Sequence, residues 1–414
     1  LAAHVKPPVI PSRVDLAKTD GFVYVQNVYQ GVGMERVKPG SVRYLRVVES
    51  PEKRFWTATA WDGGTGQQAP GMAWNDFNNK RILGTVPVEA DGSVFFAVPA
   101  DKFVYFQLLD DKGMMVQSMR SGMIVRPGET TGCVGCHEDR RSTVRFEAAA
   151  QGWKHGPQRL QPWYGPSRLF SYTAEVQPVL DKHCTSCHDY GQEAGQKLNL
   201  AGDLGLVFNT SYVELRSKDQ VRVVGAGPAE VQMPLTWGSH VSPLAKVLLA
   251  GHGKPEIDQK VRLDQESFDR LITWIDINAP YYPDYAGGAF RDGPFGRSPL
   301  STPEVKRLVE LTGLKLLEPA QFTQLSFTRP ELSPLLKRFA GPGDPNYQET
   351  LSLLRTGKER LSANPRPDMP GFRLVSPVEI AQEKKYEARR EQEARMRAAI
   401  LRGERLLPPE AGNP

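Results

Sequence analysis

The sequence predicts an α+β multidomain chain: a small antiparallel β-sandwich, then a helical domain, then further C-terminal helices. Three observations predict it. Short runs of alternating apolar and polar residues, punctuated by turn residues, fill the stretch from 21 to 132. Capped amphipathic helices recur after residue 166. Between and within these regions stand Cys133-Val134-Gly135-Cys136-His137 and Cys184-Thr185-Ser186-Cys187-His188, which together use all four cysteines of the chain.

Residues 1–20 read as an extended lead-in, with Pro7, Pro8 and Pro11. Strands are expected at Phe22–Val28, Ser41–Val48, Arg81–Val88, Ser93–Val98, Phe103–Leu109 and Met114–Met119. Asp91-Gly92, Pro99-Ala100-Asp101 and Asp110-Asp111-Lys112-Gly113 separate the later ones. A polar, Gly-rich loop runs from Trp61 to Asn79. The Met, Phe and Tyr residues of this region are most economically core. Arg126-Pro127-Gly128-Glu129 then forms a turn leading into the first C-x-x-C-H motif, which so hangs from the edge of the β-domain. Residues 133–165 are that motif and an irregular connector.

The second motif follows a helix whose first turn holds Pro178 and which carries Val179 and Leu180. Ser242-Pro243 starts the next helix, with Leu244, Val247 and Leu248 on one face and Gly251 at its end. Asp264 caps a stronger one, where Phe268, Leu271, Ile272 and Ile275 fall on one stripe. This unit is assigned to 166–290. Beyond the Gly-rich Gly287–Gly296 segment, Ser301-Thr302-Pro303-Glu304 and Asp344-Pro345 begin helices of a region assigned to 291–375. The remainder, 376–414, is a charged tail, with a helix from Ile380 to Leu406 that is solvated or packs on a partner.

The C-x-x-C-H pattern reads as covalent attachment of a c-type haem, the thiols of Cys133, Cys136, Cys184 and Cys187 forming thioethers and His137 and His188 facing the irons. Two covalently bound haem c groups are therefore expected. A four-cysteine zinc ribbon fits poorly, since about 47 residues separate the knuckles and zinc gives no reason for each to end in His. Two vicinal pairs would staple little as disulfides, and neither motif has the βαβ setting of a thioredoxin-like pair.

The second axial position decides the chemistry. A second His or Met makes an electron carrier, whereas an open position lets small molecules react. For haem II the candidates are His252, at an exposed helix end, with His240 and Met233 as alternatives; His183 adjoins Cys184 and cannot easily reach the opposite face. For haem I they are His155, Met119, Met123 and Tyr164, or none. The Glu138-Asp139-Arg140-Arg141 run reads as a solvated loop or as partners for haem propionates.

A net charge of +5 over 414 residues, without a basic cluster interleaved with aromatics, gives no sign of nucleic-acid binding, though it suits an acidic redox partner. No apolar run approaches the roughly 18–20 residues of a transmembrane helix. Haem attachment of this type implies an exported, periplasmic or otherwise extracytoplasmic protein, with its signal on a longer precursor. Leu1 then is not the gene start.

A family resemblance enters on particular residues: Arg81–Val88 through Asp91-Gly92-Ser93, Cys133–Glu138, Trp163-Tyr164-Gly165-Pro166, Gly251-His252 with Leu271–Asp276, and Asp368-Met369-Pro370-Gly371-Phe372. Over about residues 20–375 the chain resembles the C-terminal half of the hydrazine synthase alpha-subunit family. That resemblance implies two haems c, a larger precursor or complex, and His252 as distal ligand of haem II. It also implies a catalytic first haem, bound by a tyrosine shortly after the motif, with the motif histidine turned to a zinc ion held partly by a cysteine. Here Glu138–Val144 holds no tyrosine, Arg141 stands in that place, and no cysteine is spare. This argues against hydrazine formation and for ordinary ligation by His137. The expectation is an exported dihaem cytochrome moving electrons between partner proteins in a hetero-oligomeric complex. The alternatives are a hydrazine synthase-like oxidoreductase acting at haem I on a small nitrogen or oxygen species, and a docking subunit of a redox assembly.

Overall fold

The computed structural model describes residues 13–52, 79–136, 150–224, 232–259, 261–283, 298–316, 319–375 and 377–404. The lead-in to residue 12, the loop from Trp61 to residue 78, His137, Glu138–Val144, Gly287–Gly296 and the end of the expected tail helix lie outside the described residues.

Alternation predicts strands, and strands form at those places: β1 (Asp20–Val25), β2 (Tyr44–Glu49), β3 (Arg81–Pro87), β4 (Val94–Pro99), β5 (Val104–Leu109) and β6 (Met115–Ser118). A further strand, β7 (Thr130–Cys133), has no alternating signal and forms because β1 offers it a partner. The strands make two sheets, β4-β1-β7 and β3-β2-β5-β6. One correction to the expected antiparallel sandwich follows: β1 and β7 pair in parallel, from Phe22↔Thr130 to Val25↔Cys133. Between the sheets lie Val23, Val25, Leu45, Val47, Val86, Phe96, Phe106 and Leu108.

The sandwich is not free-standing. In β2, Leu45 and Val47 face the other sheet, while Arg46 and Val48 on the opposite pleat are just as buried because the helical unit covers them. Val48, Ile82 and Met114 belong to the helical unit's core, with Tyr172, Leu180, Tyr212, Leu271, Trp274, Ile275 and Tyr281.

The helix Gln265–Asp276 occupies the seam, its first turn capped by Asp264, which accepts from Ser267 N at 2.8 Å. Sequence periodicity predicts one apolar stripe. The structure buries every residue from Leu271 to Asp276, since the sheet closes over the face that a simple amphipathic helix would leave wet. Here Asp276 is fully enclosed. It accepts from Ser239 N at 2.7 Å, Ser239 Oγ at 3.0 Å and Met115 N at 3.0 Å, and its backbone carbonyl accepts from Gln107 Nε2 at 2.7 Å. Arg46 reaches the same helix through Thr273 Oγ1 at 2.9 Å.

The helices Thr302–Thr312 and Pro345–Ala363 start at the residues expected of them, Ser301 with Glu304 as a capping box and Asp344 as cap. Their buried residues Val305, Leu308, Leu351, Leu354 and Leu361 share one core with the helical unit. Arg366, buried and paired with Asp368 at 3.0 Å, ties the two by donating to Gly205 O and Leu206 O at 3.0 and 2.8 Å. The charged helix Pro377–Leu401 is largely exposed and meets the β-unit through Arg397 on Asp101 and Arg390 on Glu52. Among the described residues no helix is long and apolar enough to cross a membrane.

Candidate functional site

The two C-x-x-C-H segments are presented in different ways. Cys133 ends the edge strand β7 and Cys136 lies in the turn after it, held by Gln26 N to Cys133 O at 2.9 Å and Asn27 N to Val134 O at 3.0 Å. The intervening Gly135 is pressed onto Gln30, where an added β-carbon would lie 2.3 Å from the Gln30 carbonyl oxygen. Only glycine fits that approach. Burial, with the Cys133 thiol beside it, pushes Cys136 up to about 12.

Cys184 instead ends the helix Gln177–His183, its N–H donating to Leu180 O at 2.8 Å. The chain then turns so that Cys187 N and His188 N both reach Cys184 O, at 3.1 and 2.9 Å. Burial pushes Cys184 up to about 11, helped by Asp181 and Cys187. No disulfide joins any of the four cysteines.

His188 does not hang loosely. Its Nδ1 lies 2.9 Å from Leu198 O, which fixes Nδ1 as the protonated nitrogen and leaves Nε2 with its lone pair outward. Facing it is His252, at a centroid separation of 6.4 Å and an interplanar angle of 37°. A metal–imidazole bond of about 2.0–2.1 Å, plus about 1.1 Å from nitrogen to ring centre, puts two trans imidazoles about 6.3 Å apart. The observed spacing would leave room for one metal ion between the two rings.

His252 follows Gly251 at the end of the helix Pro243–Ala250, and Gly251 takes φ 80°, which favours glycine. Asp258 holds it, accepting from His252 N at 2.6 Å and lying 3.6 Å from its Nδ1. A cavity of about 660 Å³ opens beside the ring, lined by the apolar Leu248, Leu263 and Phe268 and by the charged Lys112, Arg262 and Asp264.

The other candidates are placed as follows. His240 Nε2 lies 3.2 Å from Asp110 Oδ2 in the β-unit. Met233 packs on Gly33, its Sδ 3.0 Å from where a β-carbon would stand. His183 is mostly enclosed, 4.0 Å from Asp264 Oδ2, and burial lowers its pKa. His155 contacts Glu89 at 2.9 Å, and Tyr164 donates to Asp269 Oδ2 at 2.6 Å, with burial as the main force raising its pKa. Met119 and Met123 pack against the sandwich core, as Cys133 and Cys136 do. Sequence reading names His188 and His252 but gives no sign of Leu198 O or Asp258, which act through contacts that only folding creates. Among the described residues no group of three or more His, Cys, Asp or Glu side chains is placed to hold a metal ion.

A β-sandwich whose edge strand ends in the cysteines of one C-x-x-C-H segment, packed on a helical unit whose second such segment faces a histidine, defines an α+β protein. Residues 40–138 match the family described as hydrazine synthase alpha subunit middle domain. The hydrazine synthase subunit alpha of Kuenenia stuttgartiensis is 26% identical, the match covering 61% of this chain and 40% of that protein. A solved hydrazine synthase chain of Kuenenia stuttgartiensis aligns with 64% of this chain and 43% of its own length, at TM-score 0.45 and 18% identity. The chain is thus similar to hydrazine synthase alpha subunits over part of its length, and it spans about two fifths of the length of that relative.

Proposed function

We propose that this chain is an exported dihaem c-type cytochrome that passes electrons between partner proteins as a subunit of a larger complex. Cys133, Cys136 and His137 would hold haem I; Cys184, Cys187, His188 and His252 would hold haem II. The observation that carries the reading is the 6.4 Å spacing of the His188 and His252 rings, which suits two axial imidazoles and would leave neither side of a bound haem II open. A bound haem supplies a one-electron ferric/ferrous couple whose potential depends on its axial ligands and surroundings. The chain's own residues do the rest. Leu198 O orients His188, Asp258 orients His252, and Leu248, Leu263 and Phe268 would offer apolar contact to the macrocycle.

A second reading, a hydrazine synthase-like oxidoreductase with haem I as its catalytic centre, draws on the family match over residues 40–138, which ends on the first motif. Spectroscopy of the full chain matured with its haems separates the two. Two low-spin haems inert to nitric oxide, carbon monoxide and hydroxylamine are expected of the relay, and a high-spin haem that responds to them supports the enzyme. His252→Ala should convert one haem to a ligand-accessible form; an unchanged spectrum overturns the assignment of haem II.

A further inference from the structure

Asp189 and Tyr190 follow His188 directly, and one side chain, Arg329, holds both. Its guanidinium donates Nη1–H to Asp189 Oδ2 at 2.8 Å and Nη2–H to Asp189 Oδ1 at 2.6 Å, a bidentate fork. The same group donates to Asp203, from Nε to Oδ1 at 3.0 Å and from Nη2 to Oδ2 at 2.6 Å. It also sits 5.1 Å from the centre of the Tyr190 ring, whose hydroxyl meets Thr210 Oγ1 at 3.0 Å.

The anchor behind Arg329 is firm. Asp203 is buried and accepts from Ser326 Oγ at 2.6 Å, Leu204 N donates to Thr328 Oγ1 at 2.9 Å, and Phe327 N donates to Leu204 O at 2.8 Å. An isolated surface ion pair contributes little. Here a planar cation is fixed by two carboxylates and an aromatic face, at the residue next to an iron ligand.

We propose that Arg329 is a positioning residue for haem II: it fixes the turn that presents His188, and its charge offsets Asp189, next to that ligand, together with Asp203. The inference rests on the assignment of His188 and His252 as axial ligands. Without the guanidinium, Asp189 and Asp203 would make the surroundings of the iron more negative and favour the ferric state. The turn would also loosen. Lysine would restore the charge without the planar fork, so it separates the two effects.

The test uses the full chain with both haems attached, as wild type, Arg329→Gln and Arg329→Lys. Redox titration followed optically gives each haem's potential, and carbon monoxide binding reports how often an axial ligand leaves. Arg329→Gln should lower the potential of haem II and raise its carbon monoxide-accessible fraction about tenfold, equivalent to about 1.4 kcal/mol. Arg329→Lys should recover the potential and keep the raised accessibility, while haem I stays unchanged in both. A lower melting temperature with potential and accessibility unmoved would overturn the proposal and leave Arg329 a structural ion pair. Should Arg329→Gln not fold, Arg329→Lys and Asp189→Asn carry the same readouts. A wild-type haem II that is not low-spin bis-histidine would instead overturn the ligand assignment on which the inference stands.

Discussion

Asp276 is the side chain on which the two units meet, and its titration should be visible in stability. Burial pushes its carboxyl up to about 6 from an ordinary 3.8, against the opposing pull of Arg46 and of the donors Ser239 and Met115. A carboxyl raised by folding favours the protonated state in the fold. Its contribution is therefore full below about pH 3.8 and lost as pH climbs through about 6. The difference of about 2 units corresponds to about 3 kcal/mol. Asp276→Asn keeps an acceptor for Ser239 N or Met115 N but cannot ionise. Urea unfolding of both proteins at about pH 4 and about pH 7.5 should show the wild type losing about 3 kcal/mol more than the variant between the two. Equal losses would refute the reasoning, because they would mean that the carboxyl stays wet or titrates as it does in the unfolded chain.

Gly135→Ala should impair attachment at the first motif alone, since the new methyl would lie 2.3 Å from Gln30 O; haem content per chain should fall from two toward one, and full content would contradict the packing described. Asp368→Ala should cost about 3–5 kcal/mol in urea unfolding, because it strands the buried Arg366 guanidinium; a loss under about 1 kcal/mol would mean that water reaches that site. Gly251→Ala, whose β-carbon would lie 2.6 Å from Asp258 Cγ, should disturb the haem II spectrum and leave haem I alone, and an unaltered haem II spectrum would show that Asp258 does not hold His252.

What could be read in advance was whatever is local. Alternating Leu45, Val47 and Val86 give strands, and Asp264, Ser301 and Asp344 give helix starts, because those signals span a turn or a pleat. The C-x-x-C-H motifs are local too. β7 escaped because Thr130-Thr131-Gly132-Cys133 is short and carries no apolar alternation; its strand state comes from β1. The outer face of β2 escaped because a buried Arg46 looks like a solvent-facing residue until Thr273 and Gln107 are brought to it. His252 could be nominated from its place after Gly251, while Asp258, Leu198 O and Arg329 could not. Asp189 and Arg329, for instance, stand 140 residues apart and look like ordinary surface charges in a chain with many.

The parallel pairing of β1 with β7 bears on the order of assembly. The turn around His188 is built from neighbours, Leu180 on one side and Leu198 on the other, so it can close early and at small entropic cost. The first motif takes its place only when Val25 finds Cys133, across more than a hundred residues of chain, and loop closure on that scale comes late in folding. Pulsed hydrogen exchange during refolding should protect the Cys184, Cys187 and His188 amides before those of Gln26 and Asn27, which donate to Cys133 O and Val134 O. The edge strand that leads into the first motif is thus the last piece of the sandwich to lock, and a chain stalled before that step would already hold the turn of its second motif.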